Sequence, residues 1–336
     1  MNFLKEKSLL IILLVISIIL LIINNLKENE MNNIKLNVVP TNISEIKDNS
    51  VWCPTFQLIW NDLKNQVVGD NIVFINDENN LYANELNKES FKEKMINSDY
   101  YYKNFDYMTF EFKEKIEKDI KTKFNEKSDI LDKFNFTENS KDYFFYSMLI
   151  RNFKFKHPFD ILSDRTFGIK EHSEDKLDEN VKILFYDNDS YAVKLLTLDG
   201  DEVILYKGDL GRNFNETYQI INNKSKEQSF NQDDTITISN LNFKTEVKYE
   251  EVSNKTFYDI NGISYVISDT LQTILFKLDN TGGKLKSEAG MSVKFTSLSY
   301  GRHFDFTDNF VLFLKEENRD EPYFAINVSD INEFHN

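Results

Sequence analysis

Residues 268–295 read Ser268-Asp-Thr-Leu-Gln-Thr-Ile-Leu-Phe-Lys-Leu-Asp-Asn-Thr-Gly-Gly283-Lys-Leu-Lys-Ser-Glu-Ala-Gly-Met-Ser-Val-Lys-Phe295, and this stretch decides the fold. Leu271, Ile274, Leu275 and Leu278 are its apolar positions before the glycines, and Phe276 to Leu278 reads as extended chain. Asp279 and the pair Gly282-Gly283 then interrupt it. Beyond the glycines the side chains alternate. Gly283, Leu285, Ser287, Ala289, Met291, Val293 and Phe295 are apolar or small, while Lys284, Lys286, Glu288, Gly290, Ser292 and Lys294 are mostly polar. A strand sends successive side chains to opposite faces, so the segment suits a strand with one buried face. A permanent half-buried strand would show the same alternation.

Working outward, Phe306, Asp308, Phe310, Val311 to Leu314 and Ala325 to Val328 read as closing strands. Upstream, Thr235 to Glu246 reads as extended, and Tyr143 to Ile150 is a dense aromatic and apolar run fit for a buried central strand. Val181 to Tyr186, Tyr191 to Leu198 and Val203 to Tyr206 are strand-like, with Asp199-Gly200 as a hairpin turn between the last two. The first half of the chain is helical instead. Pro54 opens a helix with Phe56, Ile59, Trp60, Leu63 and Val67 on one face, and Gly69 ends it. Phe112, Ile116, Ile120 and Phe124 recur every four residues in a Glu/Lys-rich run, which predicts a second amphipathic helix. Residues 76–108 carry no clear period. Helices followed by strands with hairpin turns predict an α+β chain with mostly antiparallel sheets.

Three segments together resemble the serpin family. Ser147-Met-Leu-Ile-Arg-Asn-Phe-Lys-Phe-Lys-His-Pro-Phe-Asp160 resembles a serpin strand, with Phe155 where the family has Trp and Ser147 where it has Asn. Ile238-Ser-Asn-Leu-Asn-Phe243-Lys is similar to the family's Leu-Pro-Lys-Phe strand without its Pro. Ser268 to Gly283 matches, without a gap, the passage that ends at the serpin hinge glycine, and Gly282 to Phe306 spans close to a full reactive loop. The helix at 54–68 fits the family's first helix by pattern. The family's Ser-Pro-x-Ser helix start is expected after Val73-Phe-Ile75, where Asn76-Asp-Glu-Asn stands instead, and the helical half is shorter than usual.

The resemblance implies a reactive loop at about 283–304, with a hinge of Gly282, Gly283, Leu285, Ser287 and Ala289. It places a scissile region at Lys294, Phe295, Thr296 and Ser297. In serpins the protease cuts this loop and stays acyl-linked while the loop inserts as a new strand in the central sheet. Lys294 would suit a trypsin-like enzyme and Phe295 a chymotrypsin-like one. Leu285, Lys286 and Glu288 are larger or more charged than fast insertion favours. Two functions therefore stay open. One is an inhibitor of extracytoplasmic serine or cysteine proteases; the other is a non-inhibitory binding or structural module on the same scaffold.

The N-terminus reads as targeting. Lys5 and Lys7 precede an apolar run, and residues 8–26 are uncharged. No small-residue cleavage pattern follows, so 1–26 reads as an uncleaved signal-anchor with the rest outside the membrane; the alternative is a secreted chain after signal cleavage. Residues 27–50 read as a polar tether and 51–336 as one serpin-like domain. The net charge of −15 argues against nucleic acid as a partner, and a monomer is expected. The single cysteine, Cys53, excludes an internal disulfide and reads as a small buried hydrophobe. Acidic pairs such as Asp199/Asp201 and Asp233/Asp234 read as turns, His303 beside Arg302 as a solvated loop pair, and Tyr100-Tyr101-Tyr102 as core. No enzyme motif occurs, and no cofactor or metal is called for.

Overall fold

A computed structural model describes residues 32–170, 180–282 and 301–334. The apolar segment 8–26 and the stretch 283–300 lie outside the described residues. Among the described residues no helix is long and apolar enough to cross a membrane.

The core is built on an eight-stranded sheet. Its order is β11 (Gln228–Ser229), β8 (Val181–Asp187), β9 (Ser190–Leu196), β10 (Asp201–Lys207), β18 (Phe310–Glu316), β19 (Pro322–Val328), β3 (Ser50–Trp52) and β2 (Asn37–Val38). Every pair in it is antiparallel except β2 with β3. The hairpin between β9 and β10 turns at Asp199-Gly200 as expected, with Gly200 at φ +76°, a left-handed angle that glycine adopts at no steric cost. The middle strands are buried along nearly their whole length, which is why Val311–Leu314 and Tyr323–Ile326 are unbroken apolar runs.

A three-stranded sheet, β1 (Asn32–Asn33), β13 (Leu241–Val247) and β16 (Gln272–Leu278), packs on this core, its Phe276 ring stacked on Phe324 at 4.7 Å. A separate pair, β4 (Tyr101–Tyr107) and β5 (Tyr143–Leu149), lies under the helix at Phe110–Phe124. A four-stranded sheet of β17 (His303–Phe306), β12 (Thr235–Ser239), β7 (Thr166–Ile169) and β6 (Asp160–Ser163) rests its Phe304 and Phe306 on Tyr191. A small hairpin, β14 (Lys255–Tyr258) with β15 (Ser264–Ile267), completes the strands.

Helix α1 (Thr55–Asp62) continues as wider turns over Leu63–Val68 and stops at left-handed Gly69. Helix α2 (Leu81–Leu86) is capped by the Asn80 side chain, in a stretch whose polarity hides it from periodicity. Helix α3 (Phe110–Phe124) starts on a Thr109 cap and buries Phe112, Ile116 and Ile120, as their spacing predicts. These residues form their own apolar cluster with Phe144 and Tyr146, apart from the main core. Helix α4 (Phe214–Lys224) lays Phe214 and Tyr218 against Phe313.

Several expectations need correction. The polar stretch 27–50 is not a free tether throughout, because from Asn32 onward it pairs with β13 and β3 and buries Leu36, Val38 and Val39. Thr235–Glu246 is two strands of different sheets, parted at Asn240. Tyr143–Leu149 is a strand but not a central one, since among the described residues it pairs with β4 alone. Tyr101 is buried at the start of β4, while Tyr102 is partly buried and donates to Asp119 at 2.9 Å.

A candidate site: the cleft between strands β5 and β16

Among the described residues, strands β5 and β16 each have one ladder partner, β4 and β13 respectively. Their other edges face a cleft of about 990 Å³ lined by Tyr143–Phe153 on one side and Ser264–Lys277 on the other, with Thr55, Phe56 and Ile59 of α1 and Phe324 of β19 beneath. Unpaired backbone donors and acceptors along a sheet edge are a template for another strand.

The two walls run the same way. After β5 the chain reaches Lys154, and after β16 it reaches Gly282, and these two residues form an antiparallel bridge. Phe155 N–H donates to the Thr281 carbonyl at 3.1 Å, and Phe159 N–H to that of Asn280 at 2.8 Å. Both strands therefore finish at the same end of the cleft, and Gly282 stands at its mouth. Gly282 has φ +123°, and an added Cβ would sit 2.5 Å from the Phe153 carbonyl oxygen. The backbones approach that closely because there is no side chain between them.

Helix α1 ties the walls together at its first residue. Ser147 of β5 donates its hydroxyl to the Thr55 carbonyl at 2.8 Å. Gln272 of β16 donates its amide to the Thr55 hydroxyl at 2.7 Å and to the Cys53 carbonyl at 3.2 Å. The buried Tyr249 hydroxyl donates to the Gln272 side-chain oxygen and so fixes which way that amide points. Beside this joint, burial pushes the Cys53 thiol up to about 11, outweighing its bonds with Thr55. A thiol so raised is a packing group and not a nucleophile.

Just past β5, Arg151 anchors that wall to the eight-stranded sheet. Its guanidinium meets Asp201 at 2.5 Å, donates to the Asp199 carbonyl at 2.6 Å and lies 3.8 Å from the Tyr100 ring centre. Tyr323 donates to the other Asp201 oxygen at 3.0 Å. Burial pushes the Asp201 carboxyl up to about 6, while Arg151 and Tyr323 pull it back. Asp201 is thus a buried carboxyl paired with a half-buried cation and not merely a turn residue. The chain is next described at Gly301. There Arg302 grips Asp234 through both carboxylate oxygens, at 3.0 and 2.7 Å, and His303 shares a 2.7 Å bond with Thr235. His303 is exposed, as expected, but it opens β17 with Arg302 just before it, so the pair stands at a strand start and not in a loop.

Of the residues singled out in the sequence, Gly282 and Ser147 are at this site. Gly283, Leu285, Ser287, Ala289, Lys294, Phe295, Thr296 and Ser297 lie outside the described residues. No helix starts directly after Ile75, where Asn76–Asn80 forms a turn into α2; the helix that meets both walls is the one opened at Pro54. Sequence reasoning missed Thr55, Gln272 and Arg151. The short strand-then-Pro pattern at 50–54 was the signal for Thr55; nothing local marks Gln272 or Arg151, whose partners lie 23 or more residues away.

The chain is similar in fold to many solved serpin structures. No protein-family model matches it, and no curated protein matches its sequence. A highly specific serpin of the insect Tenebrio molitor overlays with a TM-score of 0.48 at 13% identity, covering 85% of this chain and 92% of that one. The thermophilic serpin tengpin in its native state gives 0.49 at 11%, covering 88% and 97%. Mouse protein-Z dependent protease inhibitor gives 0.49 at 12%, covering 85% and 91%.

Proposed function

We propose that this is a serpin-like protein, held outside a membrane by residues 8–26, whose segment after Gly282 enters the β5–β16 cleft as an added strand once a protease has cut it. One observation carries this reading: two strands running the same way turn open edges toward each other, and the chain leaves one of them at the mouth between them. A chain that turns back at Gly282 would run antiparallel to both walls, and its alternating residues suit a slot with a buried floor. Insertion would close both edges at once. The protease class is serine or cysteine, and the bond offered lies near Lys294-Phe295.

A second reading is favoured by Leu285, Lys286 and Glu288, which would slow entry into the cleft. In it the scaffold is a non-inhibitory binding or structural module. Cutting the segment with trypsin or chymotrypsin separates the two. Insertion predicts a markedly higher melting temperature after the cut, and a complex with the protease that survives boiling in SDS if entry outruns hydrolysis. A raised melting temperature without the complex supports a substrate with a working slot. An unchanged melting temperature overturns the insertion reading.

A further inference from the structure

The first described strand fixes how the body is oriented relative to its anchor. β1 pairs parallel with β13, Asn32 opposite Phe243 and Asn33 opposite Lys244, and the Ile34 N–H continues the ladder to the Lys244 carbonyl at 3.1 Å. β13 runs antiparallel to β16, with Leu241 opposite Leu278 and Val247 opposite Gln272. The chain at Asn32 is therefore travelling away from the Leu278 end, so it arrives from the Leu278 end. Four residues past Leu278 is Gly282, at the cleft mouth. The N-terminal connection thus enters at the pole from which the 283–300 segment departs.

The connection is also short. Six residue steps separate Leu26 from Asn32, a reach of at most about 20 Å. β1 lies two strand spacings from β16, about 10 Å to the side. We infer that the Gly282 pole faces the bilayer surface, and that the partner it receives is a protein itself held at that surface. A freely diffusing globular protease would have to fit into a gap narrower than itself. The inference rests on residues 8–26 being a membrane anchor, and its test separates the two.

Full-length protein in phosphatidylcholine vesicles would carry a fluorophore at one engineered cysteine, with an acceptor on the lipid headgroups. Leu198→Cys reports the Gly282 pole, because Leu198 N–H donates to the Lys154 carbonyl beside Gly282. Glu250→Cys reports the opposite end, three residues past Val247. The two positions stand at opposite ends of β13, whose seven residues span about 20 Å. Transfer is expected to be several-fold stronger from 198 than from 250. A flexible Gly/Ser insert of about 20 residues after Glu28 is expected to equalise them. Soluble trypsin is expected to cut the 283–300 segment several-fold faster in the insert form, whereas His-tagged trypsin held on nickel-chelating lipids cuts both forms alike. Protein that alkaline carbonate strips from the vesicles overturns the anchor, and this inference with it. Membrane-held protein with equal or reversed transfer overturns the orientation alone. Equal cutting of both forms by soluble trypsin overturns the choice of a surface-held partner.

Discussion

At the level of single residues, the cleft depends on what is missing at Gly282 and on what Thr55 accepts and donates. Phe153 and Lys154 crowd the space a Cβ at position 282 would need, with the Lys154 Cα 2.7 Å away. Both neighbours are backbone atoms and cannot swing aside. The φ of +123° adds strain for any L side chain. Gly282→Ala is expected to destabilise the protein by about 1–3 kcal/mol, read as a lower urea midpoint with an unchanged slope. It should also weaken the Lys154–Gly282 bridge, seen as faster exchange of the Phe155 amide. An unchanged midpoint would mean that the mouth of the cleft is looser than the bridge implies. Thr55 acts differently, since it accepts one bond from each wall and so reports whether both are in register.

At the level of elements, charge as well as packing fixes the helices. Glu89, just past α2, takes Lys64 from the end of α1 at 2.7 Å and Lys92 at 3.0 Å. Burial alone would raise its carboxyl, but the two ammonium groups outweigh this and hold it down to about 2. A carboxyl whose folded value is depressed contributes stability above its unfolded value, here 4.5, and that contribution is lost as the pH falls toward 2. Glu89→Gln is expected to cost about 1 kcal/mol at pH 7, discounted for partial solvent access. The difference from the parent protein should shrink below pH 4.5 and vanish near pH 2 in denaturant titrations. A difference that stays constant with pH would assign the effect to shape and not to charge.

The elements also show what could be read in advance. Helices α1 and α3 and the β9–β10 hairpin were legible because apolar spacing and Asp199-Gly200 are local signals. The division of Thr235–Glu246 was half legible. Ile236 and Ile238 are buried on even positions, and Leu241 and Phe243 on odd ones, so the alternation slips by one residue at Asn240 where the strand changes sheet. The parting of β5 from β16 was not legible, because an apolar run reads the same whether its edge is paired or open.

At the level of the whole molecule, the described residues form two apolar units of very different size. The main core runs through the eight-stranded sheet, while α3 covers its own cluster with Phe144 and Tyr146. One strand pair and one helix thus carry a packing unit of their own, joined to the main core through Tyr101 and Leu149. Ile116, fully buried in the smaller unit, is the probe. Ile116→Ala is expected to cost about 2–4 kcal/mol locally. Exchange protection should fall in α3, β4 and β5 and hold in β10, β18 and β19. Loss of protection in all of them together would show a single cooperative unit.

The single-sided pairing of β5 imposes a rhythm on its amides. Met108 N–H bonds the Asp142 carbonyl and Ile150 N–H bonds that of Tyr100, which fixes the phase of the ladder. Phe144, Tyr146 and Met148 accordingly point their N–H groups at β4, and Tyr143, Phe145, Ser147 and Leu149 point theirs at the cleft. Deuterium should therefore enter this strand in a two-residue beat, slow then fast, resolved by NMR one amide at a time. A guest strand in the cleft would silence the fast beats and leave the slow ones as they were, so that the wall itself records whether the slot is empty or filled.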